Sequence, residues 1–211
     1  MPTLDFWFDY SCPYAYLAST QVEALAARAG ASLTWKPMLL GGVFRAVGTP
    51  QNLSSALSPP KAKHNFEDMM RWADLFGVPL VMPAGHPLRT VEALRATLVC
   101  GLDPKVIHGF YGAYWIDGRA PSSPDTMRDV LAKAGHDEGA VMRKLDSARD
   151  DLRARTEQAI ALGIFGAPSY VVNGEQLFWG QDRMLFVEKA LAGWCAGASD
   201  RDPRRHVTLS R

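Results

Sequence analysis

Thr3-Leu4-Asp5-Phe6-Trp7-Phe8-Asp9-Tyr10-Ser11-Cys12-Pro13-Tyr14-Ala15 carries a strand into a helix across a turn that holds a cysteine. Leu4, Phe6, Trp7 and Phe8 make an apolar run that stops at Asp9-Tyr10-Ser11, the pattern of a short, mostly buried strand. Pro13 stands where a helix tolerates a missing N–H. Tyr14, Leu17, Ala18, Gln21, Val22 and Leu25 then recur at spacings of three and four, and Gly30 closes the helix. A second strand over residues 31–37 alternates through Leu33 and Trp35. These pieces predict a βαβ unit with parallel strands.

Outward from that unit, Arg45 to Pro60 is rich in Gly, Pro, Ser and Asn and reads as a loop long enough to be functional. Helical patterns follow over residues 61–76, 90–100, 104–116, 124–134, 138–145 and 151–162, with no strand between them. Strand character returns at 169–173 and 176–179, and the intervening Asn173-Gly174 is a hairpin signal. A last helix starts near Asp182 and carries Met184, Val187, Leu191 and Trp194 on one face. The order, βαβ, a helical block, then ββα, predicts an α/β thioredoxin-like fold split by an all-helical insertion. Residues 1–44 and 160–196 would form the discontinuous thioredoxin-like domain, 45–159 the insertion, and 197–211 a mobile tail.

Composition sets the outer limits. The chain has 211 residues, is 47% hydrophobic and carries a net charge of +1, enough for a substantial core and too balanced to draw nucleic acid or an anionic membrane. No apolar run reaches the length of a membrane span, and the first residues lack the basic, then apolar, pattern of a secretory signal. Three cysteines without a CxxC pair suit a reducing, cytoplasmic setting. The five histidines show no metal-ligand spacing, and no metal site is expected.

Cys12 is the strongest chemical feature. At a strand-to-helix turn its sulfur meets unpaired amides and the positive end of the helix dipole, both of which favour thiolate. Cys100 and Cys195 fall in apolar helical patterns and read as packing residues. On the residues alone, Pro168 reads equally as a proline at the start of a strand. Asp182 reads as a helix N-cap, a role that could coexist with binding.

The segment FDYSCPYAYLAS resembles the opening motif of the DsbA-type superfamily. It is closer still to that of the 2-hydroxychromene-2-carboxylate isomerases and the kappa-class glutathione transferases. Residues 35–42 (WKPMLLGG), 163–169 (GIFGAPS) and 179–184 (WGQDRM) are similar to further segments of the same group, in the same order. The likeness spans Thr3 to Cys195 and implies the DsbA and kappa-class transferase architecture. It also implies glutathione as cofactor and a cis bond between Ala167 and Pro168 facing the Cys12 turn. The Ala167 backbone would pair with the cysteinyl unit of glutathione as a short strand. Trp179, Gly180, Gln181 and Asp182 would hold its γ-glutamyl end, Asp182 taking the ammonium and Gln181 the carboxylate. Phe44, Arg45, Asn52 and Arg89 lie in or beside loops that the family uses around its substrate. Tyr10, Trp72, Trp115, Lys61 and Lys63 are further rings and cations available to an aromatic acid. The family also tends to form homodimers, although the sequence shows no distinct interface pattern.

One departure matters. The isomerases and transferases typically carry serine before the first proline, where it hydrogen-bonds the glutathione sulfur; here that residue is Cys12. DsbA-type enzymes carry a resolving cysteine two residues beyond the proline; here that place is Ala15, so no disulfide can close at the turn. The resemblance therefore implies a glutathione-dependent isomerase of an aromatic carboxylic acid in aromatic catabolism. The alternatives are a monothiol oxidoreductase or transferase acting through Cys12, and a non-catalytic binding protein for glutathione conjugates.

Overall fold

A computed structural model of the chain describes residues 1–53 and 56–195. Strand β1 (Thr3–Phe8) runs parallel to β2 (Ser32–Pro37) and antiparallel to β3 (Ser169–Val172), and β4 (Gln176–Trp179) completes the sheet order β2-β1-β3-β4. The expected hairpin forms: Asn173 and Gly174 both adopt positive φ, as a tight turn between β3 and β4 requires. Helices α1 (Pro13–Arg28) and α9 (Met184–Leu191) pack together, while α8 (Arg149–Ala161) packs against β2.

Register explains the core. Phe6 lies opposite both Trp35 and Tyr170, and their rings meet at 5.3 and 5.4 Å. Phe8 extends this layer to Tyr10 and to Tyr111 of α5 (Pro104–Trp115), at 5.5 and 5.8 Å. Such pairs contribute about 0.5–1.5 kcal/mol each beyond the area they bury. The helical insertion and the sheet thus share one aromatic layer. The other insertion helices are α3 (Pro59–Phe76), α4 (Val91–Val99), α6 (Pro124–Ala134) and α7 (Glu138–Lys144).

The structure differs from expectation at α2 (Leu40–Val47), whose last turn occupies the start of the expected loop at residue 45. Leu40, Val43 and Phe44 supply a buried face, but Gly41-Gly42 interrupts the pattern, and no local side chain caps the N-terminus of the helix. Its first amides are met from elsewhere in the fold. Leu40 N–H donates to Asp9 Oδ2 at 2.8 Å, and Leu39 N–H donates to Thr156 Oγ1 at 3.0 Å. The divisions expected at 44/45 and 159/160 both fall inside helices, α2 and α8, which pack on each other.

Of the two packing cysteines, Cys100 ends α4 half-buried and packs against the core as expected, while the reading of Cys195 changes. Because α9 stops at Leu191, Cys195 lies beyond the helix and is exposed. The expected mobile tail, 197–211, lies outside the described residues. Among the described residues no helix is long and apolar enough to cross a membrane.

Candidate active site

Cys12 is the N-cap of α1, with extended backbone at φ −97° and ψ 115°. Its N–H donates to Asp9 O at 3.2 Å, which closes the turn, and its thiol donates to Ala167 O at 3.0 Å. The Ala167–Pro168 bond is cis, and the thiol contact joins residues 155 apart in sequence.

The expectation of a thiolate is overturned. The Tyr14 and Ala15 amides face the sulfur and lower its pKa, though neither closes a capping hydrogen bond. Burial acts the other way and dominates, with the Asp9 carboxylate adding to it, so the Cys12 thiol is pushed up to about 12. It is a neutral donor at physiological pH. Iodoacetamide at pH 7.5 should therefore label native Cys12 at least about a hundredfold more slowly than exposed Cys195, and label both after unfolding. Peptide mapping by mass spectrometry reads this directly; native labelling of Cys12 as fast as Cys195 would contradict a neutral thiol.

The segment before α9 joins the same site. Pro168 O accepts Gly180 N–H at 3.0 Å. Gly180 sits at φ +110°, a conformation that side chains resist, and a Cβ there would lie 2.5 Å from Asp182 Oδ1. Gly166 is held bare by Trp179, whose Nε1 would lie 2.6 Å from an added Cβ. Trp179 is half-exposed and packs on Phe165 at 5.0 Å. The expected N-cap role of Asp182 does not appear: Asp182 lies within a 3-10 turn (Gln181–Arg183), and Arg183 occupies the cap of α9. Its carboxylate is exposed and pairs with Arg183 at 3.4 Å. Gln181 is buried. Burial raises the phenols of Tyr14 and Tyr170, the Asp182 carboxylate adds to both, and the 3-10 turn packs on α1, so both ends of the site share one side of the domain.

Asp9 is the residue that sequence reasoning missed. Its buried carboxylate accepts four donors: Ser11 N–H, Ser11 Oγ, Thr90 Oγ1 and Leu40 N–H. It thereby ties the Cys12 turn to α2, which carries Phe44 and Arg45, and to the entrance of α4. The same bond uses the Ser11 hydroxyl, so Ser11 does not take the place of the family's usual serine. A polar residue at the end of a buried strand, one step before the turn, was the available signal.

The substrate-side residues are less uniform. Phe44 is buried, Arg45 is exposed in the last turn of α2, and Asn52 is half-buried. Arg89 is committed to Glu92, with Nη2 2.6 Å from Oε1. Tyr10 and Trp115 are fully buried core rings, joined by Trp115 Nε1–H donating to Tyr10 O at 2.8 Å. Lys61 is exposed, Lys63 pairs with Glu67 at 3.8 Å, and Trp72 packs on Phe76. A cavity of about 320 Å³ between α5 and α6 is lined by none of the expected site residues. Among the described residues no cluster of His, Cys, Asp and Glu is arranged to hold a metal.

The class defined by this fold and site is confirmed by family comparison: residues 3–192 match the DSBA-like thioredoxin domain. A 2-hydroxychromene-2-carboxylate isomerase of Sphingobium xenophagum is 31% identical over 195 residues, covering 90% of this chain and 97% of that relative. A solved 2-hydroxychromene-2-carboxylate isomerase superposes with a TM-score of 0.81 at 27% identity, covering 90% of this chain and 95% of the other. Glutathione S-transferase kappa 1 of Caenorhabditis elegans is 25% identical over 212 residues, 90% of this chain and 91% of that one. The chain therefore belongs to the DsbA-like thioredoxin-domain family and, within it, to the 2-hydroxychromene-2-carboxylate isomerase family.

Proposed function

We propose that this protein is a cytoplasmic, glutathione-dependent isomerase that interconverts the closed hemiketal and open trans-enone forms of an aromatic 2-oxo acid. One observation carries the reading: a neutral, non-pairing Cys12 thiol is held against the cis Ala167–Pro168 backbone, with the exposed carboxylate of Asp182 on the turn that packs on α1. The similarity to named isomerases and to a kappa-class glutathione transferase supports the choice of chemistry.

The donor set fits glutathione. Ala167 presents strand-like backbone to the cysteinyl unit, Asp182 offers a carboxylate to the ammonium, and Gln181 with the adjoining amides faces the carboxylate. When bound, glutathione supplies a thiolate that adds reversibly to the conjugated system, turning the double bond single so that it can rotate. Cys12 Sγ–H turns from Ala167 O to the ligand sulfur and holds it with the Tyr14 and Ala15 amides at the positive end of α1. Arg45 offers the exposed cation of α2 to the substrate carboxylate, and Phe44 closes the apolar wall behind it. The neutral Cys12 thiol favours this role over thiol exchange, which needs a thiolate.

The test uses the intact protein with 2-hydroxychromene-2-carboxylate and glutathione. Millimolar glutathione should raise the melting temperature, and isomerisation should require it. Cys12→Ser keeps a hydroxyl donor and should retain isomerisation within about threefold, whereas Cys12→Ala should lose about tenfold, the worth of one hydrogen bond. Glutathione-dependent disulfide reduction that vanishes in Cys12→Ser would favour the monothiol reductase instead. Tight glutathione binding without turnover would favour the binding protein. The absence of both a thermal shift and turnover would sink the glutathione reading outright. Gel filtration of the same sample should show the homodimer that we expect from the family resemblance.

A further inference from the structure

Residues 77–90 join α3 to α4 and are tied to the Cys12 turn at both ends. Tyr16 Oη, on the first turns of α1, donates to Pro79 O at 2.7 Å. At the other end Thr90 Oγ1 donates to Asp9 Oδ1 at 2.8 Å, and Asp9 O in turn accepts the Cys12 amide. Midway, His86–Pro87 is the second cis peptide among the described residues. The His86 ring lies against Trp115 at 5.2 Å, and Trp115 is the indole that donates to Tyr10 O, two residues before Cys12.

The hydrogen bonds engage one side of this ring. Tyr114 Oη accepts Leu88 N–H at 2.7 Å and lies 2.9 Å from His86 Nδ1. Nδ1 is the acceptor of these two partners, and we assign it the phenol proton, which places the imidazole's own proton on Nε2. Burial holds the ring below its ordinary pKa, which keeps it neutral. Burial raises the Tyr114 phenol, and the Asp9 carboxylate adds to it. Nε2–H makes no hydrogen bond among the described residues, and the ring is only half-buried. The result is an oriented, uncharged donor linked to the Cys12 turn through Trp115, without an acceptor among the described residues.

Resting on the isomerase reading, we propose that His86 is a further catalytic residue, whose Nε2–H donates a hydrogen bond to the 2-oxo oxygen of the substrate. Adding a thiolate to the enone moves electron density onto that oxygen, and expelling the thiolate moves it back. A fixed donor strengthens with the charge in both directions, and no proton need leave the ring. Arg89, the nearby cation in sequence, is already matched by Glu92, which leaves the uncharged imidazole to meet the oxygen.

His86→Phe keeps a ring against Trp115 but removes the donor, and should lower kcat at least about tenfold while leaving the KM for glutathione unchanged. His86→Gln, which keeps an amide donor, should recover part of the loss. A role confined to holding the loop would instead lower the melting temperature of both variants and leave kcat unchanged, which overturns the proposal. A second measurement needs no variant: in ¹⁵N-labelled wild type, benzylidenepyruvate, an enone unable to cyclise, should move the Nε2 resonance of His86 without glutathione present. An unmoved resonance in a protein that isomerises overturns the role of His86 alone. An unmoved resonance without any turnover overturns both readings. A moved resonance without turnover upholds His86 as the oxo-acid donor and removes only the isomerase.

Discussion

Asp9→Ala should lower the melting temperature by about 10 °C, the largest stability loss expected of any single change at the site. Its carboxylate is fully buried and accepts Leu40 N–H, Ser11 N–H and Thr90 Oγ1 as well as the Ser11 hydroxyl. Alanine leaves the two amides and the threonine hydroxyl without their acceptor, at about 1–3 kcal/mol for each that stays buried. A total loss of about 3–5 kcal/mol converts, at about 2–4 °C per kcal/mol for a chain of this size, to that shift. Asp9→Asn keeps one acceptor oxygen but turns an amide toward a donor, and should lose less. The comparison also has a pH dependence. Burial outweighs the four donors and raises the Asp9 carboxyl above its ordinary value. A raised carboxyl makes the fold prefer the protonated form, so its contribution is full below about pH 3.9 and declines as pH rises through the folded-state pKa. The gap between wild type and Asp9→Asn should therefore narrow from pH 4 to pH 7 in differential scanning calorimetry. A gap that widens over that range would reverse the sign argued here.

Gly180→Ala should damage both stability and glutathione binding. A residue with a side chain at φ +110° costs about 1–3 kcal/mol, and here the new methyl also meets Asp182 Oδ1 at 2.5 Å. The carboxylate must move, and with it the contact proposed for the glutathione ammonium. The KM for glutathione should rise at least about tenfold, in line with about 1.5–3 kcal/mol for a hydrogen bond to a charged group. Asp182→Asn should raise it comparably while leaving the melting temperature nearly unchanged, since its pairing with Arg183 is exposed and worth little. Arg183→Ala should leave the KM near the wild-type value. Normal glutathione affinity in both Gly180→Ala and Asp182→Asn would remove this turn from the binding site.

The parts legible in the sequence are those set by local pattern. Alternation in β1 and β2, Asn173-Gly174 between β3 and β4, and proline followed by apolar spacing at α1, α5 and α6 each carry their own signal. Helix α2 was hidden because the partners of its first amides, Asp9 and Thr156, come from distant segments and because two glycines sit in its first turn. The protonation state of Cys12 was hidden for a related reason. The helix terminus that favours a thiolate can be read from Pro13, but the burial that defeats it depends on residues 155 positions away. His86 gave no pattern at all, since the phenol that meets its Nδ1 belongs to Tyr114 on α5.

Residue 15 is an alanine with no exposed surface, wedged where a partner thiol would stand in a dithiol enzyme. The turn therefore cannot close an internal disulfide. On the isomerase reading proposed above, the protein would need no reductase to return it to its starting form after each turnover, and its output should follow the supply of substrate and glutathione.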